Sequence, residues 1–473
     1  MRLFSVLWIA FFAALLLSGS SCRKSADVIN QGGALRFSAD TLLFDTVFVS
    51  AGSATYKIKI YNEQNKAVTL SSVRLEKGSA SSFRLNVNGI SGQDVANQEL
   101  APHDSMYVYS TVAIDPNSSL SPFIVDDRLI ATVNGSDYSV PVVAYGQNAR
   151  YIFDSVLQTQ TWDNVLPYVI INNALVEKGH TLTIDAGCRV YVHPNSRLYV
   201  EGTLLINGTK TDSVVFQTDR IDRSYFGYRG YPGEWGGLYF TENSKGNKLK
   251  WTIIKDCGNS TQLGQGVVQP AAIQVDNNPG LLNAADGVYL ENCVVQNSIG
   301  YGLLSFGGKV SMLNTLINTC GQQNVGVFQG GTFEFNQCTF VTYGTKLVSH
   351  VDAPVMSLLN YLDTSQTSYI PGNLKAVLRN CIIYGSLEEE LVCNNKGPGS
   401  FDIVLDHCLI KAKTANGSVI FSACKFNEDP MFEDIEKWNY RLKMGSPARD
   451  AGSPPFFGTN LDDMGGSQNM GAY

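Results

Sequence analysis

Apolar and polar positions along this chain recur mostly at a period of two. After the first 20 residues few segments carry the i, i+3, i+4, i+7 stripe of an amphipathic helix, whereas short runs of Val, Ile, Leu, Thr, Tyr and Phe are common. Residues 33–147 hold eight such runs, ALRFS, LFDTVFV, TYKIKIYN, AVTLSSVRL, SFRLNVNG, MYVYSTVAI, RLIATV and YSVPVVAYG. NEQNK, SGQD, DPNSS and NGSD read as turns between them. The spacing predicts a β-sandwich, with no Cys-Trp-Cys core of a true immunoglobulin domain.

The second half is repetitive. LKWTIIK, LENCVVQ, MLNTLIN, FNQCTFV, LRNCIIY and LDHCLIK align on one pattern: an apolar residue, two further positions, Cys or Thr, then two mostly aliphatic positions. The Cys/Thr column is Thr252, Cys293, Thr315, Cys338, Cys381 and Cys408, and its central members recur about every 22 residues. The three-residue step from the apolar position to Cys or Thr would put the two on opposite faces of one continuous strand. A sharp bend between them restores the parity, and Asn292, Asn314, Gln337, Asn380 and His407 stand where it falls. Asn and His are among the residues that best tolerate the left-handed conformation. Each unit therefore reads as strand, bend and strand, with Cys or Thr and then Val295, Ile317, Phe340, Ile383 or Ile410 facing inward. Cys293, Cys338, Cys381 and Cys408 are expected to stack as small buried residues. Cys393 and Cys424 are expected outside the column.

The run LVEKGHTLTIDAGCRVYVHPNSRLYVEGTLLINGTKTDSVVFQTD, from Leu175 to Asp219, resembles the first coils of secreted right-handed parallel β-helix proteins of the pectate-lyase-like superfamily. Gly179, Gly187, Gly202 and Gly208 mark its corners, and Leu182, Ile184, Val190, Val192, Leu198, Val200, Leu204 and Ile206 alternate inward. SPARDAGSPPFFGTN, with the later MGAY, is similar to the terminal cap of such lipoproteins; Arg449 stands where an aliphatic is usual. YKIKIYNEQNKAVTLSSV resembles Ig-like modules of surface proteins. The expected fold class is thus all-β, a right-handed parallel β-helix solenoid preceded by an Ig-like β-sandwich. The expected division is a lipoprotein signal peptide over 1–21, a tether over 22–32, the sandwich over 33–147, the β-helix over 151–430 and a C-terminal cap over 431–473. Residues 151–168, with Trp162, are expected to cover the first coil.

The N-terminus changes the picture of where the protein works. Arg2 precedes an apolar run over 4–17, too short to span a bilayer comfortably, so a signal peptide is preferred to a transmembrane anchor. LLLSGSSC resembles a bacterial lipobox, which implies lipid attachment at Cys22 and a place at the outer membrane or cell surface. Several acyl chains, at about 0.8 kcal/mol per buried CH2, would hold the protein on a membrane.

Charge and composition narrow the function. The 473 residues include 35 basic and 42 acidic side chains, net -7, which is no footprint for nucleic acid. Nine cysteines remain beside Cys22, with no C-x-x-C pair to suggest zinc or redox chemistry. Catalytic signatures of known β-helix enzymes are missing: the Asp-Asp pairs at 126–127 and 462–463 lie outside the coils, no acidic column suits calcium, and the five histidines sit in unrelated contexts. No catalytic residue, metal site or cofactor is expected.

One loop stands out. DRIDRSYFGYRGYPGEWGG, over 219–237, interrupts the strand pattern with charged and aromatic side chains. Asp219, Arg220, Asp222 and Arg223 suit sugar hydroxyls or uronate carboxylates, while Tyr225, Tyr228, Tyr231 and Trp235 suit stacking on sugar faces. The competing reading is a structural flap, favoured for Trp235, with its aromatics over apolar core. A second insertion over 352–373, with Tyr361, Asp363 and Tyr369, is expected on the same face. The sequence favours a non-catalytic surface lipoprotein that binds polysaccharide or a surface protein. A polysaccharide lyase or glycoside hydrolase, its carboxylates assembled only by folding, is the alternative.

Overall fold

A computed structural model describes residues 35–49, 52–221, 230–263, 266–276, 287–413, 418–453 and 469–472. The chain divides into two compact units, residues 1–147 and 148–473. The described residues are almost entirely strand and turn, with one short 3-10 segment at Gly78–Ala80 and no helix long and apolar enough to cross a membrane.

The first unit is built from two five-stranded sheets. One runs Leu35–Phe37, Tyr56–Asn62, Ser105–Val112, Phe83–Val87, Ile90–Gly92; the other runs Leu42–Phe48, Ser136–Gln147, Phe123–Val133, Val68–Leu75, Asp94–Leu100. All neighbours pair antiparallel except Leu42–Phe48 with Ser136–Gln147. Alternation sends Phe44, Ile58, Ile60, Val73, Phe83, Val108 and Leu129 into one buried cluster. At about 1.5–3 kcal/mol for each fully buried large aliphatic or Phe side chain, this cluster carries the unit. Two strands go beyond the sequence reading: Ile90–Gly92 and Asp94–Leu100 occupy the stretch around SGQD that reads as a turn. Both are edge strands with few buried positions, so the hydrophobic pattern hardly marks them.

The second unit climbs through three parallel ladders in rotation. Ladder A includes Thr181–Asp185, Thr203–Asn207, Asn247–Lys250, Val288–Glu291, Lys309–Leu313, Gly331–Asn336, Leu374–Arg379 and Phe401–Asp406. Ladder B includes Arg189–Val192, Val214–Thr218, Thr252–Cys257, Val294–Ser298, Leu316–Cys320, Thr339–Thr342, Ile382–Gly385 and Leu409–Ile410. Ladder C includes Arg197–Val200, Leu238–Phe240, Ala271–Asp276, Tyr301–Phe306, Val325–Phe328, Met356–Leu359 and Leu391–Asn394. Tyr168–Val176 pairs with the first strands of both B and C, which joins these two ladders into one 18-stranded sheet beside the 10-stranded ladder A. Each passage through A, B and C makes one rung. Inward residues of all three ladders, such as Leu290, Val295 and Leu303 within one rung, form a single continuous core.

The bend from A to B has a fixed chemistry. Trp251, Asn292, Asn314, Gln337, Asn380, His407 and Ala423 all have φ between 46° and 55°, the left-handed conformation expected for that column. The backbone N–H of each bend residue from Trp251 to His407 crosses to the next rung, as from Asn292 to the Leu313 carbonyl and from Asn314 to that of Asn336, both at 3.0 Å. Asn314 Nδ2 also donates to Asn292 Oδ1 at 2.6 Å.

The residue after the bend explains why Cys and Thr alternate. Thr252 and Thr315 donate Oγ1–H to the carbonyl two residues back at 3.1 Å, and Cys293, Cys338, Cys381 and Cys408 aim Sγ at the equivalent carbonyl at 3.2–3.4 Å. Cys293 and Cys381 also reach Leu249 and Phe335 carbonyls of the preceding rung, at 3.3 and 3.5 Å. The column therefore needs a small side chain with one donor, which both residue types supply. Cys424 belongs to this column as well: its Sγ lies 3.3 Å from the Leu405 carbonyl and 3.5 Å from that of Ser422. Lys425 in place of the usual aliphatic hides it in the sequence. None of the nine described cysteines is in a disulfide.

Both ends of this unit differ from the sequence reading. Residues 151–168 do not lie across the first coil; Arg150–Leu157 and Gln160–Trp162 pair in parallel with Tyr168–Val176 and Thr181–Asp185 as a further rung. Trp162 is buried against Tyr168, their rings 4.4 Å apart. At the other end, Phe432, Tyr440, Leu442, Ala448, Met470 and Ala472 pack against outward-facing Leu316, Val341, Ile382, Tyr384 and Leu409, so this segment covers the flank of ladder B. Gly471, at φ 90°, donates to the Asn380 carbonyl, and Ala472 N–H to Thr339 Oγ1.

Candidate functional site

The loop over 219–237 leaves ladder B after Val214–Thr218 and returns to ladder C at Leu238–Phe240. Its described C-terminal part, 230–237, is stitched to the corner between the two ladders. Gly233 N–H donates to the Cys257 carbonyl at 3.0 Å, Glu234 N–H to that of Asp256 at 3.1 Å, and Gly236 N–H to that of Ser196 at 2.8 Å. The Trp235 carbonyl accepts from Asn259 N–H at 3.0 Å. A side chain at Gly237 would drive its Cβ to 2.3 Å from the Ala271 carbonyl oxygen, and φ there is 105°, so glycine is required twice over.

Trp235 is part of the core and is removed from the set of ligand-facing aromatics. Its ring is fully buried against Phe216, and its indole N–H donates to the Lys255 carbonyl at 2.9 Å. No face remains for a sugar. Tyr231 lies at the surface, 40% exposed. Asp222, Arg223, Tyr225 and Tyr228 lie outside the described residues, as does Cys22.

Asp219 meets a residue that sequence reasoning set aside. Its Oδ2 lies 2.6 Å from His193 Nδ1, with the Asp219 side chain 8% exposed and that of His193 48% exposed. The hydrogen bond to Asp219 raises the His193 pKa above its ordinary value, against the opposing effect of burial. Asp219 Oδ1 is buried and has no hydrogen-bond partner among the described residues. Burial, followed by the Asp219 charge, pushes Tyr151 up to about 12. Tyr151, Val169, Tyr191 and Gln217 occupy successive rungs in one outward column of ladder B. Arg220, half-buried, follows Asp219, with its N–H bonded to Thr218 Oγ1 at 3.0 Å.

Two buried polar groups hold the corner beneath the loop. The fully buried Arg197 donates from Nε to Thr261 Oγ1 at 3.0 Å and from Nη2 to the carbonyls of Asn259 and Gln269 at 2.9 and 3.1 Å. It fastens the connection over 258–270, and burial lowers its pKa to about 10. Asp256, in the left-handed conformation at φ 60°, accepts from Asn297 Nδ2 at 2.7 Å, and the same amide reaches the Gly230 carbonyl at 2.9 Å. Burial pushes the Asp256 carboxyl above the usual range.

The second insertion lies elsewhere. Residues 352–373 include the ladder C strand Met356–Leu359, and the hairpin of Tyr361–Asp363 with Tyr369–Pro371 leaves on the side where C returns to A. It does not share the corner of 219–237. Lys396 Nζ sits 4.1 Å from the Tyr361 ring centroid and 2.9 Å from Asp363.

Chemically, the corner presents an imidazole whose Nδ1–H is held by a shielded carboxylate, leaving Nε2 to meet a ligand. Tyrosine and glutamine of the adjoining column supply further hydrogen-bonding groups. Among the described residues no group of three or more His, Cys, Asp or Glu side chains converges to hold a metal ion. His193 and Asp219 stand 26 residues apart, and only the pairing of Val192 with Thr218 on adjacent rungs reveals them as neighbours.

No protein family model matches the chain, and no curated protein matches it. Among solved structures it is similar to a family 123 glycoside hydrolase from Clostridium perfringens, described for glycolipid glycan hydrolysis, at 10% identity and a TM-score of 0.17. The similarity covers 24% of this chain and 26% of that one, and it carries no argument about fold or activity.

Proposed function

We propose that the second unit is a right-handed parallel β-helix of the pectate-lyase-like type, that the first is an Ig-like module, and that the whole is a lipoprotein held at the outer membrane or cell surface through Cys22. Its function in this reading is non-catalytic binding of polysaccharide at the corner where the loop over 219–237 leaves ladder B. The His193–Asp219 pair carries the proposal. A half-exposed imidazole oriented from behind by a shielded carboxylate, beside a column with the half-buried Tyr151 and Gln217, suits recognition of sugar hydroxyls. Charge speaks against nucleic acid.

The same pair favours the second reading, a polysaccharide lyase or glycoside hydrolase. An Asp-oriented imidazole is a competent general acid or base, and the hydrogen bond to Asp219 raises its pKa. One experiment separates the two. The purified protein is screened on immobilised plant, host and microbial polysaccharides, and each glycan it retains is incubated with it and analysed for new reducing ends and unsaturated uronates. Retention without product, lost in His193→Ala and Asp219→Asn, supports binding; product formation abolished by His193→Ala supports the enzyme. Retention unchanged in both variants, with no product, overturns the site.

A further inference from the structure

We propose that the first unit carries a separate binding site, on the outer face of the sheet containing Tyr56–Asn62 and Ser105–Val112, for a polysaccharide bearing anionic substituents. It does not rest on the reading of the His193–Asp219 corner.

Strand alternation sends one set of side chains from these strands into the core and the other outward. The outward set is unusual. Lys57 lies opposite Tyr109, Lys59 opposite Tyr107, and Tyr61 opposite Ser105, while the next strands place Asn86 opposite Tyr109, Arg84 opposite Thr111, and Arg36 opposite Tyr61. Cations and tyrosines are thus interleaved across four adjacent strands. Tyr107 and Tyr109 are 37% and 38% exposed, and their rings stack at 5.7 Å between centroids with planes 21° apart. They form a nearly continuous aromatic strip at the surface. Lys59 Nζ and Lys57 Nζ lie 4.7 and 5.7 Å from the Tyr107 ring centroid, which keeps both ammonium groups on this face.

A groove of about 610 Å3 adjoins the strip, lined by Thr55, Arg84, Asn86, Ser91, Tyr109 and Thr111 among others. That volume is in the range of small-ligand sites, and no carboxylate lines it. Arg84 holds its Nη1 on the carbonyls of Ser81 and Phe83 at 2.6 and 2.8 Å, so the guanidinium is fixed in place. Among the described residues none of Lys57, Lys59 and Arg84 is ion-paired, although the chain as a whole carries net charge -7. Unpaired cations gathered on one face of an acidic protein mark an anionic partner.

The aromatic strip decides which anion. An isolated phosphate or carboxylate gains nothing from exposed ring faces, whereas a sugar ring stacks on them and offers hydroxyls to Asn86, Ser91 and Thr111. Anionic substituents on the same chain then meet Lys57, Lys59 or Arg84. Nucleic acid combines rings and charge as well, but it stacks through its bases and, as DNA, has few hydroxyls to offer Asn86, Ser91 and Thr111.

The test uses the full chain with dextran sulfate, neutral dextran, polyphosphate and oligo-dT as probes in isothermal titration or biolayer interferometry. Dextran sulfate is expected to bind at least tenfold more tightly than the other three, and more weakly as salt rises. The Lys57→Gln/Lys59→Gln and Tyr107→Ala/Tyr109→Ala double variants should each lose at least tenfold in affinity with Tm unchanged, because all four side chains are at the surface. Tyr107→Phe/Tyr109→Phe should retain most of it, and His193→Ala all of it. Unchanged binding in the lysine pair, or dextran binding as tightly as dextran sulfate, overturns the role of charge. Polyphosphate or oligo-dT binding as tightly as dextran sulfate, or unchanged binding in the Tyr→Ala pair, overturns the saccharide.

Discussion

His193 Nδ1 stands 2.6 Å from Asp219 Oδ2, and the acid is shielded while the imidazole faces outward. Asp219→Asn is therefore expected to lower the His193 titration midpoint, read by NMR of the imidazole protons. The sign for stability follows from the direction of the shift. A histidine whose folded pKa lies above its ordinary value near 6.5 contributes stability that is fully present below that value and is lost as pH rises through the raised one. The Tm difference between wild type and Asp219→Asn should be largest below about pH 6 and shrink toward alkaline pH. Identical His193 midpoints in the two proteins would show that the pair does not interact in solution.

Trp235 links the loop to the core, so its truncation reads out on folding rather than on recognition. Trp235→Ala removes a fully buried ring and the indole bond to the Lys255 carbonyl, and is expected to cost about 3–5 kcal/mol in chemical denaturation of the second unit. Trp235→Phe keeps part of the packing against Phe216 and should fall between. Tyr231→Ala, at an exposed site, should stay within about 0.5 kcal/mol of wild type. A Trp235→Ala protein as stable as wild type would contradict the burial.

These cases show which features of the chain were legible before folding. The bend column could be read because a left-handed residue before Cys or Thr is a local demand, met by Asn292, Asn314, Gln337, Asn380 and His407 wherever the rung recurs. Inward burial of Val295, Ile317, Phe340, Ile383 and Ile410 follows from the same parity. The flank under the C-terminal segment was written less plainly. In LINTC, IIYG and LI the first aliphatic faces outward, and an outward apolar stripe requires a cover that the repeat alone does not name. His193 could not be paired with Asp219 because their proximity is set by register across rungs, and nothing in either local sequence encodes it.

The cysteine column makes a chemical prediction. Burial pushes Cys293 up to about 11 and Cys188 up to about 12, and raises Cys257, Cys381 and Cys408 as well. These thiols should resist a water-soluble disulfide reagent in the native protein and react on unfolding. Cys393 and Cys424, only partly covered, should react first. Cys381→Thr should be tolerated within about 1.5 kcal/mol, since Thr252 and Thr315 make the equivalent donor bond in the same column. Cys381→Ala abandons a carbonyl and should cost more, about 1–3 kcal/mol. Rapid native labelling of two or more of the column thiols from Cys293 to Cys408 would break the argument.

Glu390 is fully buried and accepts hydrogen bonds that close the longest described connection between ladders B and C. Its Oε1 takes the Leu387 N–H at 2.8 Å, its Oε2 takes the Val355 N–H at 2.9 Å, and both oxygens lie 3.0–3.1 Å from His350 Nε2. Gly385 must lack a side chain because its Cβ would meet Glu390 Oε1 at 2.2 Å. Glu390→Ala leaves two backbone donors and an imidazole without their acceptor, and is expected to cost about 3–5 kcal/mol. His350→Ala leaves the carboxylate its two backbone donors and should cost less, despite the cavity. The loss should be local before it is global: limited proteolysis of Glu390→Ala should cut within residues 343–355 under conditions where wild type stays intact, while the first unit remains uncut. Equal protection of that connection in both proteins would mean that packing alone holds it and that the glutamate is incidental.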